Sequence, residues 1–195
     1  MTITSVTTDD KRFQLKEGEG ADSVHSDPVY SYAVTYLHTD AGTMGIGLTF
    51  NLGAGTDLIC QAIELLSREL VGKDVEELMA NFGEVSHRLA NHPQLRWLGP
   101  QKGVVHLALA SIVNACFDLW AKQQNKPLWK LLIDLEPEEV VALLDFAWVD
   151  DALGRSDALT ILQETKAGRE DRAVVLETGY PGYDTSIGWF NYSDE

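Results

Sequence analysis

The chain has 195 residues, with 15 Lys+Arg against 30 Asp+Glu and a formal charge of −15. Apolar residues make up 45 % and charged residues 23 %, the mixture of a globular chain long enough for one or two domains and a sizeable core. The acid excess argues against a surface built for nucleic acid or an anionic membrane, because either needs clustered Lys and Arg.

The first fifty residues predict strands and turns. Ile3 and Val6 open an extended piece. It is broken by KEGEGADSVHSDP, where Gly18, Gly20, Asp22, Ser26, Asp27 and Pro28 all favour bends. In YSYAVTYLHTDAG, the residues Tyr30, Tyr32, Val34, Tyr36 and His38 alternate with Ala33, Thr35 and Leu37, which predicts a strand. A turn at Asp40–Gly42 leads into MGIGLTFNLG, so 29–52 is expected to be a β-hairpin.

The period then changes to helical. Thr56 is a candidate N-cap for a stripe of Ile59, Ala62, Ile63, Leu66 and Leu70, which Gly72 stops. Asp74 opens a second face of Val75, Leu78, Met79, Phe82, Val85 and Leu89. GVVHLALASIVNACFDLWAKQQ is apolar on nearly all sides and predicts a central buried helix ending before Pro127, with a short helix at PLWKLLIDL beyond it. The fold class expected from these elements is α+β, a small sheet covered by three helices. Residues 140–149, VVALLDFAWV, form a near-continuous apolar run, the pattern of a strand buried on both faces of a parallel sheet. Ser156 and Asp157 open a helix that Gly168 interrupts, and the loop GYPGYDTSIGWFNY follows. Ser193, Asp194 and Glu195 have the signature of a helix start, so the chain is expected to be the front part of a longer protein.

No apolar run approaches the ~20 residues of a membrane span, and MTITSVTTDDKRF lacks a secretory pattern, so no membrane partner is expected. Cys60 and Cys116 lie far apart in apolar helical stretches and are expected to be reduced, buried thiols in a cytoplasmic, reducing compartment. The sequence has no G-x-S-x-G, no H-E-x-x-H, no Cys/His zinc spacing and no phosphate loop. His106 is expected to be a satisfied core histidine, while His87 and His92 are expected on the surface. Asp118, on the apolar helix, needs an ion-pair partner. Trp97, Trp120, Trp129, Trp148 and Trp189 are expected in core packing. The glycine-rich loops KEGEGADSVHSDPVY and FNLGAGT are candidates for closing over a small polar ligand, with plain turn chemistry the alternative.

The stretch QLRWLGPQKGVVHLALASIVNACFDLWAKQQNKPLWKLL (94–132) closely resembles the L-fuconate dehydratase family, in the mandelate-racemase branch of the enolase superfamily. GADSVHSDPVYSYAV, FNLGAGTD, LLDFAWVDDAL and GYPGYDTSIGWFNYSDE match in order and spacing. The resemblance implies a capping domain over 1–130 and the start of a modified TIM-type barrel over 131–195, here its first strand and crossover. It implies Mg²⁺-assisted removal of the proton α to a carboxylate, then loss of water to give a 2-keto-3-deoxy sugar acid. It places the base in a Lys-x-Lys motif, which this sequence does not contain, so no catalytic residue or metal ligand is assigned to this chain and the chain alone is expected to be inactive. Carried over by motif, Gly20, Ala21, Asp22 and Tyr30 are the implied substrate contacts, with a small-molecule sugar acid as ligand and a homo-oligomer as the full-length assembly. Ala147 stands where family members often have arginine. Another superfamily racemase or dehydratase, or a non-catalytic binding module, are the competing readings.

Overall fold

The computed structural model describes residues 1–98, 103–179 and 182. Three antiparallel strands, β1 (Ile3–Gln14), β2 (Val29–Thr39) and β3 (Met44–Asn51), form one sheet in the order β1-β2-β3. The alternation seen in the sequence sets its two faces. Ala33, Thr35 and Leu37 point inward and are fully buried, while Phe13, Ile46, Leu48 and Phe50 stand exposed on the other side.

The inner face is covered by α1 (Thr56–Leu66) and α4 (Val104–Gln123). Ile59, Ile63 and Leu66 from α1 meet Ala108, Ile112, Ala115 and Leu119 from α4, and the helices α2 (Val75–Met79) and α3 (Phe82–Ala90) close the side with Val75, Leu78, Phe82 and Leu89. The inward positions of β3 are Gly45, Gly47 and Thr49. A Cβ at Gly47 would overlap Ser111 O and Ala115 N, and one at Gly45 would overlap Ala115 O, so α4 lies directly on the strand backbone.

α4 also answers the outer edge of β3. Asn114 Nδ2 donates to Leu48 O at 3.3 Å, Asp118 Oδ2 accepts from the Ile46 N–H at 2.7 Å, and Lys122 Nζ donates to Met44 O at 2.9 Å. These residues are spaced four apart, one helical row running beside the strand. Asp118 has its expected ion pair, with Lys122 at 2.6 Å. It stands on the margin of the helix rather than its buried face.

Several expectations need correction. Gly55 (φ 85°), not Thr56, is the N-cap of α1, and the Thr56 hydroxyl instead donates to Gly53 O at 3.1 Å. Asp74 is a cap as expected, accepting from the N–H groups of Glu76 and Glu77 at 2.9 and 3.3 Å and pairing with the N-terminal ammonium at 2.8 Å. Residues 140–149 are not a strand. Pro137 and the Glu139 carboxylate, which accepts from the Glu136 N–H at 2.7 Å, start a helix, α6 (Pro137–Ala142), and the remaining apolar residues lie in turns and irregular chain. A helix-start signature thus overrides β-branched content. Around it lie α5 (Leu128–Asp134), α7 (Arg155–Thr165) and α8 (Arg169–Glu177). Trp120 is buried, but Trp97 and Trp148 are 93 % and 67 % exposed, so core packing does not account for them. α4 is, by length and composition, long and apolar enough to cross a membrane, contrary to the sequence expectation; its buried row makes it the core helix of this fold. The loop after Gly182, Trp189 and the 193–195 signature lie outside the described residues.

Candidate functional site

Both glycine-rich loops emerge from one end of the sheet. Gln14 pairs with Val29 and Ser31 with Asn51, so the β1–β2 connection (15–28) and the β3–α1 connection (52–55) leave side by side. Gly53 (φ +100°) lies against Val29, and Gly20 (φ +66°) against Tyr30: a Cβ at Gly20 would stand 3.0 Å from Tyr30 Oη and 3.0 Å from Leu15 Cδ1. The Tyr30 ring packs edge-on against Phe50 with centroids 5.0 Å apart, anchoring the loop to the outer face of the sheet.

The four residues implied as substrate contacts therefore divide. Gly20 and Tyr30 are brought together. Ala21 is 4 % exposed, a buried residue of the loop itself. The Asp22 carboxylate closes its own turn: it accepts from the N–H groups of Val24 and His25 at 2.8 and 2.7 Å and lies 3.1 Å from His25 Nδ1. Those donors, the His25 and Val24 amides first, pull the Asp22 pKa down to about 2.

The sequence offers His25 only as part of the KEGEGADSVHSDPVY loop, because a lone histidine in a turn carries no spacing signal. A second constellation lies apart from the loops, in a cleft of about 380 Å³ between α3 and residues 144–155. There His87 Nδ1 meets Asp145 Oδ2 at 3.0 Å and the Arg155 guanidinium lies 5.8 Å from the Phe146 ring centre. His87, expected to be a plain surface residue, is thus tied to Asp145. His106 and His92 are both half-buried, and His92 Nδ1 has no hydrogen-bond partner among the described residues. Ala147 is exposed, its N–H donating to Asp145 Oδ1 at 3.0 Å. Among the described residues, no three His, Cys, Asp or Glu side chains come together to hold a metal.

A three-stranded sheet backed by α1–α4, with two loops at one end, is the capping architecture of the enolase superfamily. The domain described as "Mandelate racemase / muconate lactonizing enzyme, N-terminal domain" matches residues 14–132, and the chain belongs to this family. Human mitochondrial enolase superfamily member 1 superposes on 99 % of this chain with a TM-score of 0.91 and 44 % identity, over 45 % of its own length. L-Galactonate dehydratase of Hypocrea jecorina is 40 % identical over 198 residues, covering 100 % of this chain and 44 % of that protein. A Streptomyces coelicolor racemase crystallised with bound magnesium shares the fold at a TM-score of 0.58 and 23 % identity, over 69 % of this chain. The chain thus spans less than half the length of the first two proteins. The matched proteins place the chain in the enolase superfamily and do not single out the L-fuconate dehydratases within it.

Proposed function

We propose that this chain supplies the substrate-facing cap of an acid-sugar dehydratase, acting on a six-carbon sugar acid of the L-fuconate or L-galactonate type. The observation that carries it is the joining of Gly20 and Tyr30 at the loop end of the sheet, within a chain whose whole length aligns with an L-galactonate dehydratase. In this reading the Tyr30 hydroxyl and the backbone around Gly20 grip hydroxyls remote from the reacting carbon, and the 52–55 loop closes beside them. Such remote contacts orient the substrate and exclude water without touching the breaking bonds. Magnesium would supply charge stabilisation in such a reaction. The described residues offer no seat for it, so the part assigned to this chain is binding and orientation.

The test is to incubate the complete gene product with L-galactonate and L-fuconate in the presence of Mg²⁺ and to follow the 2-keto-3-deoxy acid as its semicarbazone. Product from either acid is expected. Exchange of the α-proton with solvent without loss of water would overturn the dehydratase reading in favour of a racemase, and neither event with either acid would overturn it altogether.

A further inference from the structure

The hydrogen bonding of the 15–28 loop ties the Asp22 carboxylate to three donors of its own turn and leaves one nitrogen of the His25 imidazole unengaged. Asp22 Oδ1 accepts from two backbone N–H groups at 2.8 and 2.7 Å, and both carboxylate oxygens lie 3.1 Å from His25 Nδ1. A carboxylate only accepts hydrogen bonds, and here three donors already converge on it. The His25 ring is 46 % exposed, and among the described residues its Nε2 has no partner. An ionised Asp22 beside Nδ1 requires the ring proton there, so in the neutral imidazole Nε2 carries a lone pair directed away from the turn. A fixed acceptor of this kind suits the hydroxyl of a polyhydroxylated acid.

We infer that His25 is a substrate-contact side chain of this loop, taking a substrate hydroxyl at Nε2, and that Asp22 is a positioning residue that fixes its ring. The inference rests on the reading of this loop as a sugar-acid contact. It assigns the side-chain recognition to His25 and leaves Asp22 acting through it, so the two positions should respond differently to conservative change. Asp22→Asn keeps an oxygen for the two backbone donors but no longer dictates the ring tautomer. His25→Gln keeps a side-chain acceptor, whereas His25→Ala removes it.

The experiment measures dissociation constants of L-galactonate and L-fuconate by calorimetry on the complete gene product, for the unaltered protein and for His25→Ala, His25→Gln, Asp22→Asn and Tyr30→Phe. Nitrogen-15 spectra of histidine-labelled protein report the tautomer alongside. The expected result is an Nδ1–H tautomer in the unaltered protein and mixed tautomers in Asp22→Asn. Binding should weaken about tenfold in His25→Ala, the loss expected for one hydrogen bond, with part of it restored in His25→Gln. Unchanged binding in His25→Ala beside weakened binding in Tyr30→Phe would overturn the assignment to His25 and leave the loop reading intact. Unchanged binding in every variant, or no binding of either acid by the unaltered protein, would overturn both.

Discussion

Ser111 shows how much one buried hydroxyl contributes. Its Oγ lies 2.7 Å from Thr35 Oγ1 and 3.2 Å from the carbonyls of both Ala33 and Gly47, so it links α4 to two strands from inside the core. Ser111→Ala strands the Thr35 hydroxyl without that partner and should cost about 1–3 kcal/mol. Urea denaturation checks this, and a midpoint equal to that of the unaltered chain would refute it. Asp22 makes a prediction about acid. Its pKa is about 2 in the fold against the ordinary 3.8, so it binds its proton less readily folded than unfolded. The stabilisation it gives the loop is therefore complete above the ordinary value and is lost as pH falls from there through about 2. Amide resonances of Val24 and His25 should move over that interval, ahead of the core. Cys116 behaves in the opposite sense: full burial pushes its thiol up to about 12, leaving no useful thiolate at neutral pH. It should resist Ellman's reagent until the chain is unfolded.

At the level of elements, the joint between β3 and α4 brings two backbones into direct contact. Gly47→Ala drives a methyl into the backbone of α4 around Ser111 and Ala115, and overpacking of this kind costs about 3 kcal/mol where neither side can yield. A fall in melting temperature without loss of the loop geometry is the expected outcome, read by calorimetry. The hairpin, α4 and the cap at Asp74 were legible in the sequence, because each combines one clear period with a defined start or stop, and α1 was legible as an apolar stripe although its cap is Gly55 rather than Thr56. Residues 140–149 were misread for a physical reason: Val140, Val141, Leu143 and Leu144 have the composition of a strand, while the signal that decides the matter, Glu136-Pro137-x-Glu139, lies just ahead of them. The loop glycines were legible as turns, but the hydrogen bonding inside the loop was not. That depends on Asp22 turning back onto its own amides, a choice no spacing reveals. The row Asn114, Asp118, Lys122 was visible as three polar residues four apart on an apolar helix. Its purpose became readable only beside β3.

On the scale of the whole molecule, burial is uneven. The continuous core draws on residues between Ile3 and Leu135, whereas α7 and α8 contribute only Ala158 and Ala173 as buried apolar side chains. Cooperative opening should follow that division. In hydrogen exchange, amides of β2, α1 and α4 should open only with global unfolding, and those of α7 and α8 much sooner; equal protection across both sets would contradict this division. The two loops at the end of the sheet stand outside this core, with Ala21 and Pro28 the only buried residues between 15 and 28. Away from the glycines that hold positive φ, Gly20, Gly53 and Gly55 among them, their sequence can therefore vary with little effect on the residues that hold the fold.

The row of side chains that α4 lays along β3 has a consequence for how separate molecules meet. A bare strand edge is a template on which another chain can extend the sheet, the first step toward fibrillar aggregates. Here Met44 O, Ile46 N–H and Leu48 O are already occupied, and the exposed Ile46, Leu48 and Phe50 beside them would otherwise make that edge adhesive. Asp118→Ala combined with Lys122→Ala should therefore shorten the lag before thioflavin-positive aggregates form in concentrated solution, while the helical signal of the monomer stays close to that of the unaltered chain. An unchanged lag time would show that this edge is guarded by something other than the polar row of the helix beside it.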